Sequence, residues 1–149
     1  MKTFILFLSI VLVSFQEPKK ITTARVYFAQ NSSEILEINP INKKTKTSSV
    51  LNEFAKRVKS EDGGIKLMVC TNFDETDRKK LDDTRLMAVR DALNKLGVTH
   101  SIQLQYPHVS INLTVHSKSV IEAEKSELKK DSLKAYNRFV EIKYLPRAK

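Results

Sequence analysis

The stretch from Ile65 to Gly97, IKLMVCTNFDETDRKKLDDTRLMAVRDALNKLG, decides the fold of this chain. Residues 65–69 form a short apolar run after a Gly-Gly turn signal, which predicts a buried strand. After a polar loop, residues 81–96 repeat apolar side chains every three or four positions, which predicts an amphipathic helix. Gly97 stands where a left-handed helix cap is expected. A strand, a polar loop and a capped helix that carries Arg85 near its start are suited to a small-ligand site.

The elements before this stretch and the start of the predicted helix follow from local signals. The β-prone run Arg25–Ala29 predicts the first strand. Ser49 suits the N-cap of a helix that ends near Ser60. If the next helix begins near Leu81, the adjacent carboxylates of residues 82 and 83 fall in its first turn and complement its dipole.

The part of the chain after Gly97 contains weaker signals. Residues 101–106 alternate polar and apolar side chains and predict a strand that Pro107 ends. Alternation over residues 109–115 indicates a further candidate strand. Residues 107–135 are interpreted as an inserted or irregular segment, and their lysine- and glutamate-rich part as an exposed helical excursion or a mobile insertion. Alternation resumes over residues 136–145 and predicts the last strand.

These elements predict an α+β fold, a two-layer α/β sandwich in β-α-β-α-β order with helices on one face of a mixed sheet. Residues 1–16 are predicted as a signal peptide, since Lys2 precedes an apolar run of about twelve residues. An uncleaved anchor or a buried helix is the alternative for that segment. Residues 17–24 are assigned as a linker and residues 25–146 as one folded domain.

Composition restricts the classes of function. The formal net charge of the 149 residues is +9, which favours anionic partners. The basic residues are scattered among acidic ones, so a solvated surface is the preferred interpretation. A specific nucleic-acid binder is therefore not expected. The single Cys70 excludes an internal disulfide and is predicted to be buried, with pairing between chains as the alternative.

Known catalytic patterns are missing from the sequence. The three histidines are spaced by eight residues, and there is neither a glycine-rich phosphate loop nor a nucleophile motif. We expect no enzymatic activity, no cofactor and no metal ion.

From Val26 to Tyr144 the order of these landmarks resembles the OmpA-like peptidoglycan-binding domain, which the OmpA, Pal and MotB families share. The segment Met68–Asn72 stands where the family has an apolar strand that ends in Gly-His-Thr-Asp. Leu81–Val89 resembles the helical pattern Leu-Ser-x-x-Arg-Ala-x-x-Val, and Asn137–Ile142 resembles the closing Asn-Arg-Arg-Val-Glu-Ile.

The resemblance implies a site that holds the zwitterionic end of diaminopimelate in the peptidoglycan stem peptide. Arg85 takes the place of the family's helix arginine, and the family's aspartate position falls on Asn72, which has no charge for an ammonium group. Asp74 is a candidate replacement for the missing carboxylate. Thr71 and Arg138 complete the predicted ligand-binding residues.

Other interpretations stay open for three of these residues. Arg85 is equally compatible with a surface salt bridge, Asn72 with a local turn, and Arg138 with a structural pair to a loop carboxylate.

Two functions follow from the resemblance. The first is an exported protein of the periplasm, cell envelope or outer-membrane surface that binds peptidoglycan non-covalently. The alternative is the same fold with a decayed ligand site, acting as a protein-interaction or dimerisation module, a homodimer included, of an envelope assembly.

Overall fold

The computed structural model of this protein describes residues 22–107 and 113–147. These residues form four strands and four helices, which alternate along the chain except for one pair of consecutive helices. In chain order they are β1 (Thr23–Tyr27), α1 (Thr47–Val58), β2 (Gly63–Cys70), α2 (Arg78–Lys95), β3 (Ser101–Gln105), α3 (Lys118–Ala123), α4 (Glu127–Ala135) and β4 (Phe139–Pro146). The predicted signal peptide and residues 17–21 of the predicted linker lie outside the described residues. Thr23 and Ala24, which were also assigned to the linker, belong to β1, and this strand ends at Tyr27 and not at Ala29.

The four strands form one mixed sheet with the order β1-β4-β2-β3. Strand β4 runs antiparallel to both of its neighbours, and it pairs with β2 over the whole length from Gly63↔Pro146 to Cys70↔Phe139. Strands β2 and β3 are parallel, and α2 makes the crossover between them. The predicted α+β fold with a mixed sheet is confirmed.

The main core lies between one face of the sheet and helices α1 and α2. Alternate strand residues point to this face because successive side chains in a strand point to opposite sides. Helix residues three or four apart form the facing apolar stripes. The core residues are Val26, Ile65, Leu67, Val69, Val140, Ile142 and Tyr144 from the sheet and Leu51, Phe54, Ala55, Val58, Leu86, Val89 and Leu93 from the helices.

A smaller apolar cluster lies on the opposite face of the sheet. Tyr27, Cys70 and Phe139 pack there against Leu113 and two residues of the loop after β1. The predicted burial of Cys70 is confirmed, and desolvation raises the pKa of its thiol to about 12. The thiol is therefore protonated at neutral pH and is a poor nucleophile.

Both long helices begin earlier than their local signals predicted. Helix α1 begins at Thr47 with Lys46 as its N-cap, so the prediction of Ser49 as the cap is wrong. Helix α2 begins at Arg78, and its first turn contains no acidic residue. The carboxylates of residues 82 and 83 therefore lie beyond the first turn, and the dipole role assigned to them is wrong. The run Arg78-Lys79-Lys80 has good helix propensity, which extends the helix back to the loop.

The end of α2 matches its prediction. Gly97 has a φ angle of 76°, and the backbone N–H of Val98 donates to the carbonyl of Leu93 at 3.1 Å. This is the pattern of a left-handed helix cap.

The segment between β3 and β4 is helical where it is described. Helices α3 and α4 are capped by Ser117 and Ser126, whose hydroxyls accept hydrogen bonds from backbone N–H groups in the first turn. The helical interpretation of this excursion is confirmed. Of the further candidate strand over residues 109–115, residues 109–112 lie outside the described residues, and Leu113 and Val115 are not in a strand.

Strand β4 begins at Phe139, three residues later than predicted. Residues 136–138 lie in a turn after α4 and not in a strand. Asn137 and Arg138 contact the β2–α2 loop, whereas the Tyr136 ring packs against His116. No helix in the described parts of the chain combines the length and the apolar character needed to cross a membrane.

The first prediction concerns the close approach of β2 to β4. A Cβ atom added at Gly63 would lie 2.4 Å from the carbonyl oxygen of Leu145, whereas one added at Gly64 would have only the carbonyl of Ser101 nearby, at 3.6 Å. We expect Gly63→Ala to lower the free energy of unfolding by about 1–3 kcal/mol. The matched variant Gly64→Ala should change it by less than about 1 kcal/mol. Urea denaturation measures both, and equal midpoints for the two variants would contradict the strand packing.

Candidate functional site

The candidate site lies at the carboxyl end of β2, where the loop of residues 71–77 leads into α2. The structure brings the five predicted ligand-binding residues into one hydrogen-bonded network at this point. They are Thr71, Asn72, Asp74, Arg85 and Arg138. Ligand binding by these residues stays a prediction.

Arg85 is the centre of the network, and its side chain is fully buried. Its Nε donates to the carbonyl of Ser32 at 2.8 Å, and its Nη2 donates to the carbonyl of Ala29 at 3.0 Å. The guanidinium carbon also lies 5.0 Å from the centroid of the Phe28 ring. The loop after β1 therefore holds the guanidinium in one orientation. The alternative interpretation of Arg85 as a surface residue is wrong.

The partner of Arg85 is Glu75, whose side chain is also fully buried. Glu75 Oε1 accepts from Nη2 at 2.5 Å and Oε2 accepts from Nη1 at 3.0 Å, so the two groups form a bidentate pair. The same carboxylate accepts from the backbone N–H of Asn72 at 2.9 Å and from that of Asn31 at 3.0 Å. Four donor bonds thus converge on one carboxylate that belongs to the protein itself.

Glu75 is not among the residues predicted from the sequence. It is one of three acidic residues between Asn72 and Arg78, and no periodicity or motif distinguishes it from Asp74 or Asp77. Its spacing of ten residues from Arg85 matches no helical or strand pairing rule. The loop must fold back onto α2 for the contact to form, so only the tertiary structure identifies the pair.

Asn72 is 2% exposed, and both ends of its side-chain amide are bonded. Its Nδ2 donates to Asp74 Oδ1 at 2.7 Å, which is the local turn contact expected as the alternative to ligand binding. Its Oδ1 accepts from Nδ2 of Asn137 at 3.0 Å. Asn137 also accepts from the backbone N–H groups of Val115 and His116, so it ties the loop to the start of the excursion.

Asp74 points toward the excursion and away from Arg85. Its carboxylate accepts from Arg138 Nη2 at 3.3 Å and lies 3.3 Å from Lys134 Nζ and from Gln30 Nε2. The structural pairing of Arg138 with a loop carboxylate is thereby observed. Partial burial acts to raise the pKa of Asp74, but the Asn72 hydrogen bond and the nearby positive charges outweigh it and lower the pKa.

Thr71 connects the network to an open cleft of about 470 Å³. Its hydroxyl donates to Asp82 Oδ1 and lies 3.5 Å from Arg85 Nη1. Burial raises the pKa of Asp82 despite that hydrogen bond and the charge of Arg85. The cleft is lined by Thr71, Arg78, Lys79, Asp82, Tyr106 and Pro107. The cleft is therefore an open space next to the buried ion pair, and its lining contains both basic and acidic side chains.

The second prediction concerns the pH dependence of the Asp74 contacts. Because the native pKa of Asp74 lies below its unfolded value of about 3.9, its ion pairs stabilise the fold above that pH and are lost as the pH falls through the native pKa. We expect Asp74→Asn to lower the free energy of unfolding by about 1.5 kcal/mol at pH 7. This difference from the wild type should shrink below about pH 4.

The matched control is Asp131→Asn. Asp131 also pairs with Lys134, at 3.6 Å, but its side chain is 73% exposed, so we expect almost no effect on stability. Urea titrations at several pH values measure both variants. A difference for Asp74→Asn that does not vary with pH would contradict the assigned ion pairs.

Comparison with known proteins identifies the fold. No protein-family model and no curated protein matches this sequence. Among solved structures, the peptidoglycan-associated lipoprotein from Burkholderia pseudomallei matches with a TM-score of 0.56 and 21% identity over 81% of this chain and 89% of that one. The periplasmic domain of Helicobacter pylori MotB (residues 78–256) matches with a TM-score of 0.58 and 13% identity, over 89% and 81% of the two chains.

A third similar structure is described as an OmpA-like domain. The OmpA-like domain of FopA1 from Francisella tularensis matches with a TM-score of 0.52 and 13% identity, over 86% of this chain and 77% of that one. The resemblance found in the sequence is thus confirmed at the level of the fold: this chain has the fold of the OmpA-like domains.

Proposed function

We propose that this protein is a non-enzymatic domain of the cell envelope that binds peptidoglycan non-covalently, through a carboxylate of the stem peptide. One solved structure of the same fold is described as a peptidoglycan-associated lipoprotein, and another as the periplasmic domain of MotB. The predicted signal peptide supports export to the periplasm or the outer-membrane surface.

The observation that carries the proposal is the carboxylate position at Arg85. A guanidinium matches a carboxylate because two parallel N–H groups meet two oxygens in one plane. Here the guanidinium is held by the carbonyls of Ala29 and Ser32, and the backbone N–H groups of Asn31 and Asn72 point to the same place. These groups suit a terminal carboxylate of a peptide.

The neighbouring cleft supports the same proposal. It offers about 470 Å³ next to Thr71 for the remainder of a stem peptide. Arg78 and Lys79 suit further anionic groups, and Asp82 suits an ammonium group. The formal net charge of +9 favours approach to the anionic cell wall.

A second candidate function is supported by the closure of the site. Arg85 and Glu75 have no exposed side-chain surface, and Asn72 is almost fully buried. A domain with its ligand position filled internally could act as a protein-interaction or dimerisation module of an envelope assembly. The two functions differ in whether the protein binds isolated cell wall.

The third prediction tests binding to purified peptidoglycan sacculi by co-sedimentation at physiological salt. Arg85→Lys keeps the positive charge but loses the planar fork, so we expect affinity to fall at least about tenfold. The matched control Arg90→Lys changes an arginine of the same helix whose side chain is 40% exposed and contacts Asp91, and it should bind like the wild type. Circular dichroism of each variant verifies that the fold is retained.

The contrary outcomes are specific. If neither the wild type nor Glu75→Gln, in which the internal carboxylate is neutral, sediments with sacculi, peptidoglycan binding is excluded and the interaction module is favoured. If Arg85→Lys sediments like the wild type and moderate salt abolishes binding by both, the association is nonspecific attraction between charges.

A further inference from the structure

We propose that Glu75 is an internal competitor for the carboxylate position, so that an external carboxylate binds only when Glu75 leaves it. This inference rests on the proposed function for the identity of the natural ligand, but not for the existence of the position itself.

The donors that form the position come from three separate parts of the chain. Arg85 belongs to α2, the N–H of Asn72 to the loop after β2, and the N–H of Asn31 to the loop after β1. The guanidinium is oriented by two backbone carbonyls, at 2.8 and 3.0 Å, which do not involve Glu75. The orientation of the guanidinium therefore does not rest on Glu75 alone.

Besides the guanidinium, two backbone N–H groups bind the same carboxylate, so that each of its oxygens accepts two hydrogen bonds. This set of donors matches the two oxygens of a carboxylate. Thr71, 3.5 Å from Arg85 Nη1, also lines the open cleft. The route that the proposal assigns to an external carboxylate therefore passes Thr71, which lies between the cleft and the buried guanidinium.

The segment that follows Glu75 is exposed at Thr76 and Asp77. Its backbone is restrained by a hydrogen bond from the N–H of Thr76 to the side chain of Asn31, at 2.8 Å, which must break for the segment to move. Asp77 has a φ angle of 46°, a left-handed conformation that costs free energy for a residue with a side chain. The movement that the proposal requires is a rotation of residues 75–77 in which Asp77 leaves this conformation, the Thr76–Asn31 bond breaks and Glu75 withdraws.

The expected consequence is a reduced apparent affinity for external carboxylates. When only a fraction of the molecules has the position free, the apparent dissociation constant is raised by the inverse of that fraction. Removing the internal carboxylate should therefore tighten external binding, and a small carboxylate should substitute for the missing side chain.

The fourth prediction tests this substitution with Glu75→Ala and acetate. We expect Glu75→Ala to unfold at a lower temperature than the wild type, and sodium acetate to recover most of the loss. Sodium chloride of equal ionic strength should not recover it, and the wild type should respond equally to both salts. Glu53→Ala is the matched control, since Glu53 pairs with Arg57 on an exposed surface and its loss should produce no acetate-specific response. Thermal unfolding followed by circular dichroism measures each case.

Every result of this experiment decides the inference. A folded Glu75→Ala that responds equally to acetate and chloride overturns it. If Glu75→Ala folds only when acetate is present, the inference is supported. If Glu75→Ala folds in neither salt, the unfolding temperature of Glu75→Gln, which has the same shape as the wild type, is measured in both salts. An acetate-specific rise supports the inference, and the absence of such a rise overturns it.

Sacculus binding separates this inference from the proposed function. We expect Glu75→Gln to bind sacculi at least about tenfold more tightly than the wild type. An acetate response without any sacculus binding supports the carboxylate position and refutes peptidoglycan as its ligand. Equal sacculus affinities of Glu75→Gln and wild type overturn the competition and leave the proposed function standing.

Discussion

The buried pair of Glu75 and Arg85 is the constraint on which the rest of the site depends. A guanidinium without any exposed surface must have every charge and donor compensated, because transfer from water to the protein interior is costly for an ion. The compensation comes from three segments of the chain, which must meet for the pair to form. Such a pair contributes little net stability compared with apolar packing, but it specifies where the loops lie.

The neutral side chain at position 72 is explained by this network. The Nδ2 of Asn72 lies 2.7 Å from Asp74 Oδ1, and its other end accepts from Asn137. A carboxylate at position 72 would lie beside that of Asp74 and would be repelled by it. The departure from the aspartate of the OmpA-like pattern therefore fits the internal contacts of the loop. The same argument accounts for the position of Asp74, which pairs with Arg138 and Lys134.

The excursion, which connects β3 to β4 and contains α3 and α4, also contributes contacts to the site. Asn137 bonds to Asn72, Lys134 pairs with Asp74, and Lys118 lies 5.5 Å from the Phe73 ring. These contacts cover the side of the loop that faces away from α2. The loop is thus held from one side by Arg85 and from the other by the excursion, and the cleft beside Thr71 is an open space next to it.

Local pattern predicted the four strands, helices α1 and α2, the cap at Gly97 and the burial of Cys70, because each depends mainly on residues close in sequence. It left the region of α3 and α4 open between a helical excursion and a mobile insertion. The order of these elements was sufficient to predict the fold. The family resemblance predicted that five residues lie at one site, namely Thr71, Asn72, Asp74, Arg85 and Arg138. The predicted helix starts were wrong because the signals at Ser49 and at residues 82 and 83 compete with the helix propensity of the residues before them.

Only the tertiary structure decided which carboxylate meets Arg85. That contact depends on a loop folding back onto α2, and the bond from Asn72 to Asn137 joins residues 65 positions apart. Neither contact can be predicted from a pattern of residues that are neighbours in sequence.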